Sequence, residues 1–121
     1  MSQAHNCSIV VPVYNGYDCL PDLISALEAV LPSVCPQFEV ILVNDGSPDR
    51  SWERICELGQ ARPWIRGVNL MRNYGQHNAT LCGMRQARYE ITITMDEDLQ
   101  HPPHEIPKLL AKLDEGYDVV Y

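Results

Sequence analysis

Two aspartates separated by one residue are the feature of this sequence that could most directly do chemistry. Asp96 and Asp98 follow the β-branched run 91–94, and the prolines at 102–103 then force a turn. If an extended backbone continues to Asp98, side chains two residues apart share a face, so the two carboxylates converge while Glu97 points away. Two carboxylates about 4 Å apart repel by roughly 4 kcal/mol at an effective dielectric near 20, and a divalent cation between them relieves that repulsion.

The acid pair therefore predicts a cation site. Hard cations such as Mg²⁺ take oxygen ligands and usually keep positions open for water or substrate phosphates. An alternative is that acids follow the strand only because the next helix favours an anion at its N-terminus. The pair by itself leaves both interpretations open.

The elements that must position these acids alternate between strand and helix along the chain. Short, β-branched apolar runs predict strands, and apolar residues spaced by three and four predict helices. The predicted strands are 8–13, 38–43, 65–70 and 91–94, and the predicted helices are about 18–31, 48–62, 79–87 and 103–114. Repeated alternation predicts an α/β fold, a mostly parallel Rossmann-like sheet with helices on both faces.

Several element boundaries can also be predicted. Ser47 is a good N-cap for the second helix, with Pro48 at its first position, and Pro32 and Pro36 are expected to bracket the exit of the first helix. The third strand is interrupted by Arg66 and Gly67, so it is expected towards a sheet edge. Residues 118–121 are expected to begin a fifth strand. From this we expect residues 1–121 to be the N-terminal part of a longer domain, with one sheet edge left unprotected.

The candidate polar residues all follow predicted strands, at 12–15, 44–47, 72–75 and 96–100. In parallel sheets, ligands bind beyond the carboxyl ends of the strands. Asp45 could accept hydrogen bonds from a base or ribose, Tyr14 could stack on a base, and Arg72 could face a phosphate. The alternatives are an ordinary turn for Asp45, the edge of the core for Tyr14 and a solvated surface for Arg72.

Composition excludes several classes. A net charge of −7 argues against nucleic acid or an anionic membrane as the main partner. Five cysteines without a Cys-x-x-Cys pair indicate reduced, mostly buried thiols in a cytoplasmic setting rather than disulfides or zinc. No apolar run is long enough to span a membrane. The glycine fingerprints of nicotinamide enzymes and P-loop hydrolases are absent, and the spacing of His77, His101 and His104 does not suggest a metal site.

Taken together, four motifs resemble family-2 glycosyltransferases of the GT-A fold, and the match covers nearly the whole chain. The motifs are Val10-Val11-Pro12-Val13-Tyr14-Asn15, Val43-Asn44-Asp45-Gly46-Ser47, Arg72-Asn73-Tyr74-Gly75-Gln76, and Met95-Asp96-Glu97-Asp98 with its extension Leu99-Gln100-His101-Pro102-Pro103. They are most similar to the branch of dolichyl-phosphate mannose synthases and undecaprenyl-phosphate glycosyltransferases. One departure is Gly16, where many relatives carry an acid, and it removes one expected nucleotide contact.

The resemblance implies inverting, metal-dependent transfer of a sugar from a nucleotide-sugar donor, with a polyprenyl phosphate as the expected acceptor. The implied nucleotide-binding residues are Pro12, Tyr14, Asn15, Asp45, Gly46, Arg72 and Asp96. The implied ligands of Mg²⁺ or Mn²⁺ are Asp98, Asp96 and Gln100, and Asp96 and Asp98 are the implied catalytic residues. The acceptor site and any membrane contact, at the inner face of the membrane, are expected in parts beyond this chain, so the chain itself is expected to bind nucleotide weakly without turnover.

Two other classes of function stay open. A nucleotidyltransferase also pairs metal-binding acids with an α/β sheet, although a glycine-rich basic loop would be expected where Tyr14-Asn15-Gly16 stands. A non-catalytic fragment could instead form homo-oligomers through an exposed sheet edge near Val119 and Val120. Concentration-dependent dimers without nucleotide binding would favour that second alternative.

Overall fold

The computed structural model describes residues 5–96 and 106–114, which contain four strands and four helices. In chain order these are β1 (Cys7–Val13), α1 (Leu20–Val34), β2 (Phe38–Asp45), α2 (Ser51–Ala61), β3 (Ile65–Leu70), α3 (Gln76–Gln86), β4 (Ile91–Thr94) and α4 (Ile106–Asp114). The strict alternation confirms the predicted α/β class.

The four described strands form one parallel sheet in the order β3-β2-β1-β4. Within it β1 is central, and its first residue Cys7 pairs with Phe38 of β2 and with Ile91 of β4. β3 pairs only with β2 among the described strands, which confirms its predicted place at an edge. Because all strands run the same way, their carboxyl ends meet along one side of the sheet.

Helices cover both faces of the sheet, as predicted. Alternate residues of β1 (Ile9, Val11 and Val13) face a large apolar core that includes buried residues of α1, α2 and α4. The opposite face carries a smaller cluster, in which Val10 packs with Ala79 of α3. β1 is buried along its whole length, which is typical of a central parallel strand.

Two predicted boundaries are corrected by the structure. α1 continues past the predicted end near residue 31 to Val34, with Pro32 inside its last turn, and its exit lies between Pro32 and Pro36 as predicted. α2 begins at Ser51 rather than near Pro48, with Arg50 at the N-cap position, and the N–H of Ser51 donates a hydrogen bond to the carboxylate of Asp49 at 3.0 Å. Ser47 is therefore not the N-cap. A charged carboxylate is the stronger acceptor for a helix N-terminus.

β4 is shorter than the extended geometry considered for the acid pair. It ends at Thr94, and the N–H of Met95 still donates to the carbonyl of Val10 at 3.1 Å. Asp96 therefore lies two residues beyond the strand. Asp98 and Gln100, the start of the last helix near Pro103, and the predicted fifth strand all lie outside the described residues.

None of the five cysteines forms a disulfide bond in the structure. Only Cys7 and Cys35 are buried, however, and Cys56 is exposed, so the prediction that most are buried is wrong. The sulfur atoms of Cys7 and Cys35 lie 3.1 Å apart. The hydrogen bond with Cys35, together with burial, raises the pKa of the Cys7 thiol. Among the described helices, none has both the length and the apolar character needed to cross a bilayer.

A buried carboxylate ties together the amino ends of three strands. Glu39 of β2 accepts hydrogen bonds from the hydroxyl of Ser8 at 2.7 Å, from the guanidinium of Arg66 at 2.8 Å and from the N–H of Arg88 at 2.7 Å. Its side chain is 4% exposed. Burial raises the pKa of Glu39, but the three hydrogen bonds and the charge of Arg66 outweigh burial and hold it below its usual value.

Candidate functional site at the carboxyl ends of the strands

A cavity of about 490 Å³ opens at the carboxyl ends of β1 and β4. It is lined by Pro12, Gln76, His77, Thr80, Thr94, Met95 and Asp96. The strand ends supply one part of the wall, and the first turns of α3 supply the other. The structure thus brings together Pro12 and Asp96, which are distant in the sequence and were both predicted to be site residues.

Asp96 has one defined partner at this cavity. Its Oδ1 accepts a hydrogen bond from the side-chain amide of Gln76 at 2.7 Å. The backbone just before it is fixed, because Met95 is buried and bonded to β1. The carboxylate therefore has a defined position although it lies outside regular secondary structure.

The loop after β1 is held by the loop after β2. The N–H groups of Asn15 and Gly16 donate to the hydroxyls of Ser47 and Ser51, at 3.1 and 2.9 Å. Asn15 has a φ of 55°, a left-handed conformation that asparagine tolerates better than most residues. The hydroxyl of Ser47 thus stabilises the loop after β1 and does not cap α2. The prediction that Asn15 contacts a nucleotide stays a prediction.

The turn after β2 holds the loop before α3. Asp45 is only 3% exposed, and its Oδ1 accepts a hydrogen bond from the N–H of Tyr74 at 2.8 Å. Gly46 has a φ of 65°, and a Cβ at this position would lie 2.3 Å from the backbone nitrogen of Asn73. Both residues therefore support the loop 72–75. Their predicted nucleotide contacts remain predictions.

Two aromatic rings are partly exposed on the same side of the sheet. Tyr14 is 43% and Tyr74 is 45% exposed. The guanidinium of Arg72 lies 5.2 Å from the centre of the Tyr74 ring, a distance at which a cation–π attraction operates. Neither Tyr14 nor Arg72 lines the cavity, so their predicted nucleotide contacts remain predictions.

The described residues contain only part of the predicted metal site. No group of three or more His, Cys, Asp or Glu side chains suited to a metal ion occurs within residues 5–96 and 106–114. Asp96 contributes a carboxylate at the cavity, and its described partner is a neutral amide rather than a lysine or arginine. The carboxylate oxygens of this position, without a cationic partner among the described residues, fit a hard cation.

Five of the residues that line the cavity were not among the site residues predicted from the sequence. Thr94 and Met95 lie at the end of β4, and Gln76, His77 and Thr80 lie in the first two turns of α3, whose N-terminus faces the ends of β1 and β4. The predicted topology places the start of α3 at the carboxyl ends of the strands, but helical periodicity does not indicate which strands its first turns face. The only sequence signal that could have indicated a role for Gln76 was its place at the end of the motif 72–76.

Comparison with known proteins gives the family directly. Residues 8–121 match the profile described as Glycosyl transferase family 2. The undecaprenyl-phosphate 4-deoxy-4-formamido-L-arabinose transferase of Klebsiella pneumoniae subsp. pneumoniae is 46% identical over 114 residues, covering 93% of this chain and 35% of that protein. The chain thus spans about a third of the length of this relative.

Solved structures agree on the fold. TarS 1-349 of S. aureus superposes with a TM-score of 0.74 at 25% identity, over 91% of this chain and 32% of that one. The mannosyltransferase PcManGT from Pyrobaculum calidifontis, solved in complex with GDP-Man and Mn²⁺, superposes with a TM-score of 0.73 at 19% identity, over 79% and 28% of the two chains. Its likeness concerns the fold alone. With its parallel sheet and a profile match over nearly its whole length, this chain belongs to glycosyl transferase family 2.

Proposed function

We propose that residues 1–121 are the nucleotide-sugar-binding part of a GT-A glycosyltransferase domain. The observation that carries the proposal is the position of Asp96, an acid without a cationic partner among the described residues, on a cavity at the carboxyl ends of the strands. This is where parallel sheets bind ligands. The whole protein is proposed to transfer a sugar from the bound nucleotide, with inversion, to a polyprenyl phosphate.

Family membership supports sugar transfer, and the named relative supports the acceptor class. That Klebsiella protein is named as acting on undecaprenyl phosphate, and its identity of 46% extends over most of this chain. A lipid phosphate is already an anion, so its attack on the sugar needs positioning more than deprotonation. The chain is proposed to work in the cytoplasm, at the inner face of the membrane in the whole protein, which suits five cysteines that form no disulfide bond.

A divalent cation, Mg²⁺ or Mn²⁺, is proposed to be held by Asp96, Asp98 and Gln100, and when bound it would neutralise the charge of the departing diphosphate. The chain itself places Asp96 and Pro12 in the wall of the same cavity. The loops after β1 and β2, which are joined by the hydrogen bond between Asn15 and Ser47, would hold Tyr14 and Asp45 near the base and ribose. A chain with a net charge of −7 repels a diphosphate, so a cation held at this site would strengthen binding.

Calorimetric titration of UDP and GDP into this chain, with Mn²⁺ and separately with EDTA, tests the proposal. At least one of the nucleotides is expected to bind in Mn²⁺, with an affinity that EDTA lowers by about tenfold or more. The substitution Asp96→Asn is expected to lower affinity in Mn²⁺ by a similar factor, since losing a ligand costs at least as much as losing a supporting residue.

The matched control is Asp22→Asn, because Asp22 is an exposed acid in the first turn of α1. It removes the same charge from the chain and should leave nucleotide affinity unchanged. Absence of nucleotide binding, or binding that is equal in Mn²⁺ and EDTA, would contradict the proposed metal-dependent donor site.

A further inference from the structure

The side chain of Gln76 lies between the loop that precedes α3 and the acid that follows β4. Gln76 is the first residue of α3, and its amide nitrogen lies 2.7 Å from Oδ1 of Asp96. We propose that Gln76 is a positioning residue, which orients the Asp96 carboxylate towards the cation and nucleotide. The inference rests on the proposed function and assigns a role to a residue that does not itself have to touch the reacting atoms.

The backbone before Gln76 is fixed from β2. Asp45 accepts the N–H of Tyr74, and Gly46 lies directly against the backbone of Asn73. The side chain of Asn78 then donates to the carbonyl of Tyr74 at 2.8 Å. The end of β2 thereby fixes the start of α3, so Gln76 reaches Asp96 from a rigid position.

Asp96 needs such a partner because β4 ends two residues before it. Met95 still donates to Val10 of β1, but this bond fixes the backbone and does not determine which way the Asp96 carboxylate points. A hydrogen bond to Oδ1 restricts its rotation, and no other described residue is recorded as a hydrogen-bond partner of its second oxygen, Oδ2. Oδ2 is therefore the oxygen we assign to the ligand.

The chemistry of the partner matters as much as its place. A lysine or arginine at position 76 would also hold the carboxylate, but it would neutralise the charge that attracts a cation. A glutamine amide donates a hydrogen bond and carries no charge. Asp96 is thus oriented while its full negative charge remains available. Supporting residues of this kind typically change metal affinity by about 10- to 100-fold.

Gln76 is exposed, so its replacement should not unfold the chain. The test compares Gln76→Leu with Gln60→Leu, the same change at an exposed position in the last turn of α2. In titrations with UDP or GDP, Gln76→Leu is expected to lower the affinity in Mn²⁺ by about tenfold and to leave the affinity in EDTA unchanged. Gln60→Leu should alter neither value.

A double-mutant cycle with Asp96→Ala shows whether Gln76 acts through Asp96. If it does, Gln76→Leu has less than about a twofold effect once Asp96 is gone, because residues coupled in one network are not additive. An equal effect in both backgrounds, an equal loss in Mn²⁺ and EDTA, or no loss at all would overturn the inference.

The contact can also be measured without nucleotide or metal, through the side-chain amide signals of Gln76 in a ¹H–¹⁵N correlation spectrum. These signals are expected to shift in Asp96→Ala, whereas the side-chain amide of Gln60 should not. Unshifted Gln76 signals would overturn the inference whatever the nucleotide does. Shifted signals in a chain whose wild type binds no nucleotide in Mn²⁺ would instead refute the proposed function and leave Gln76 as a structural partner only.

Discussion

Replacing Glu39 with glutamine is expected to lower the free energy of unfolding by about 3 kcal/mol at pH 7, in the range found when one partner of a buried ion pair is removed. The carboxylate is 4% exposed and accepts hydrogen bonds from Ser8, Arg66 and Arg88. A glutamine has one acceptor oxygen instead of two and turns an amide N–H₂ towards these donors. Arg66 would also lose its buried counter-charge. Urea unfolding followed by circular dichroism measures the difference.

The effect of Glu39→Gln should depend on pH with a definite sign. The pKa of Glu39 is lowered in the folded chain. Its stabilising contribution is therefore complete above the unfolded-state pKa of about 4.3 and is lost as the pH falls through the lower folded-state value. The stability gap between wild type and variant should accordingly be constant from about pH 7 to pH 5 and shrink below about pH 4.

Glu57→Gln is the control, because this glutamate is 59% exposed and its ion pair with Arg54 spans 3.7 Å. An exposed pair of this kind contributes little, so the change should stay within about 0.5 kcal/mol. If both variants lose the same stability, or if the Glu39→Gln gap does not depend on pH, the buried network is not a major source of stability.

Gly46→Ala is expected to have the second large effect, with a loss of about 2–4 kcal/mol in the free energy of unfolding. A Cβ here would lie 2.3 Å from the nitrogen of Asn73 and 2.4 Å from the carbonyl carbon of Arg72. These are backbone atoms, which cannot rotate away as a side chain does. The φ of 65° adds strain for any other residue. The loop 72–75 must therefore shift, and nucleotide binding should weaken together with stability.

Gly59→Ala is the matched control, because Gly59 lies within α2 and an added Cβ would approach Ile65 no closer than 3.8 Å. Alanine is the better helix former by up to about 1 kcal/mol, so this variant should be as stable as the wild type or more so. Thermal unfolding and calorimetric titration of both variants provide the comparison. A Gly46→Ala chain with unchanged stability and affinity would show that the loop contact has no supporting role.

The strands and the sheet could be predicted because they depend on local chemistry. Runs such as Ser8–Val13 and Phe38–Val43 are β-branched, short and bounded by breakers, and a β/α alternation leaves only a parallel sheet with covered faces. The edge position of β3 followed from Arg66 and Gly67, which suit a partly exposed strand. The same topology predicted that the polar residues that follow the strands would lie together at the carboxyl ends of the sheet.

Side-chain partners could not be predicted, since they depend on distances between segments that are remote in sequence. Ser47 and Asp49 are both good caps by residue type, and only the approach of Asn15 decides that Ser47 serves the neighbouring loop. Glu39 appeared merely as a polar residue in an apolar run, and its partners come from three other segments. The contact between Gln76 and Asp96 likewise exists only after α3 has packed on the sheet.

The most direct measurement is a ¹H–¹⁵N correlation titration of the chain with UDP or GDP and Mg²⁺, which locates bound nucleotide residue by residue. The proposed donor site predicts that the largest shifts require Mg²⁺ and fall on the amides of Gln76 and Asp96 at the cavity. Tyr14 and Gly46, in the loops after β1 and β2, should shift with them. Shifts centred on Ser8, Glu39 and Arg88 at the opposite end of the sheet, or no shifts at saturating nucleotide, would contradict it.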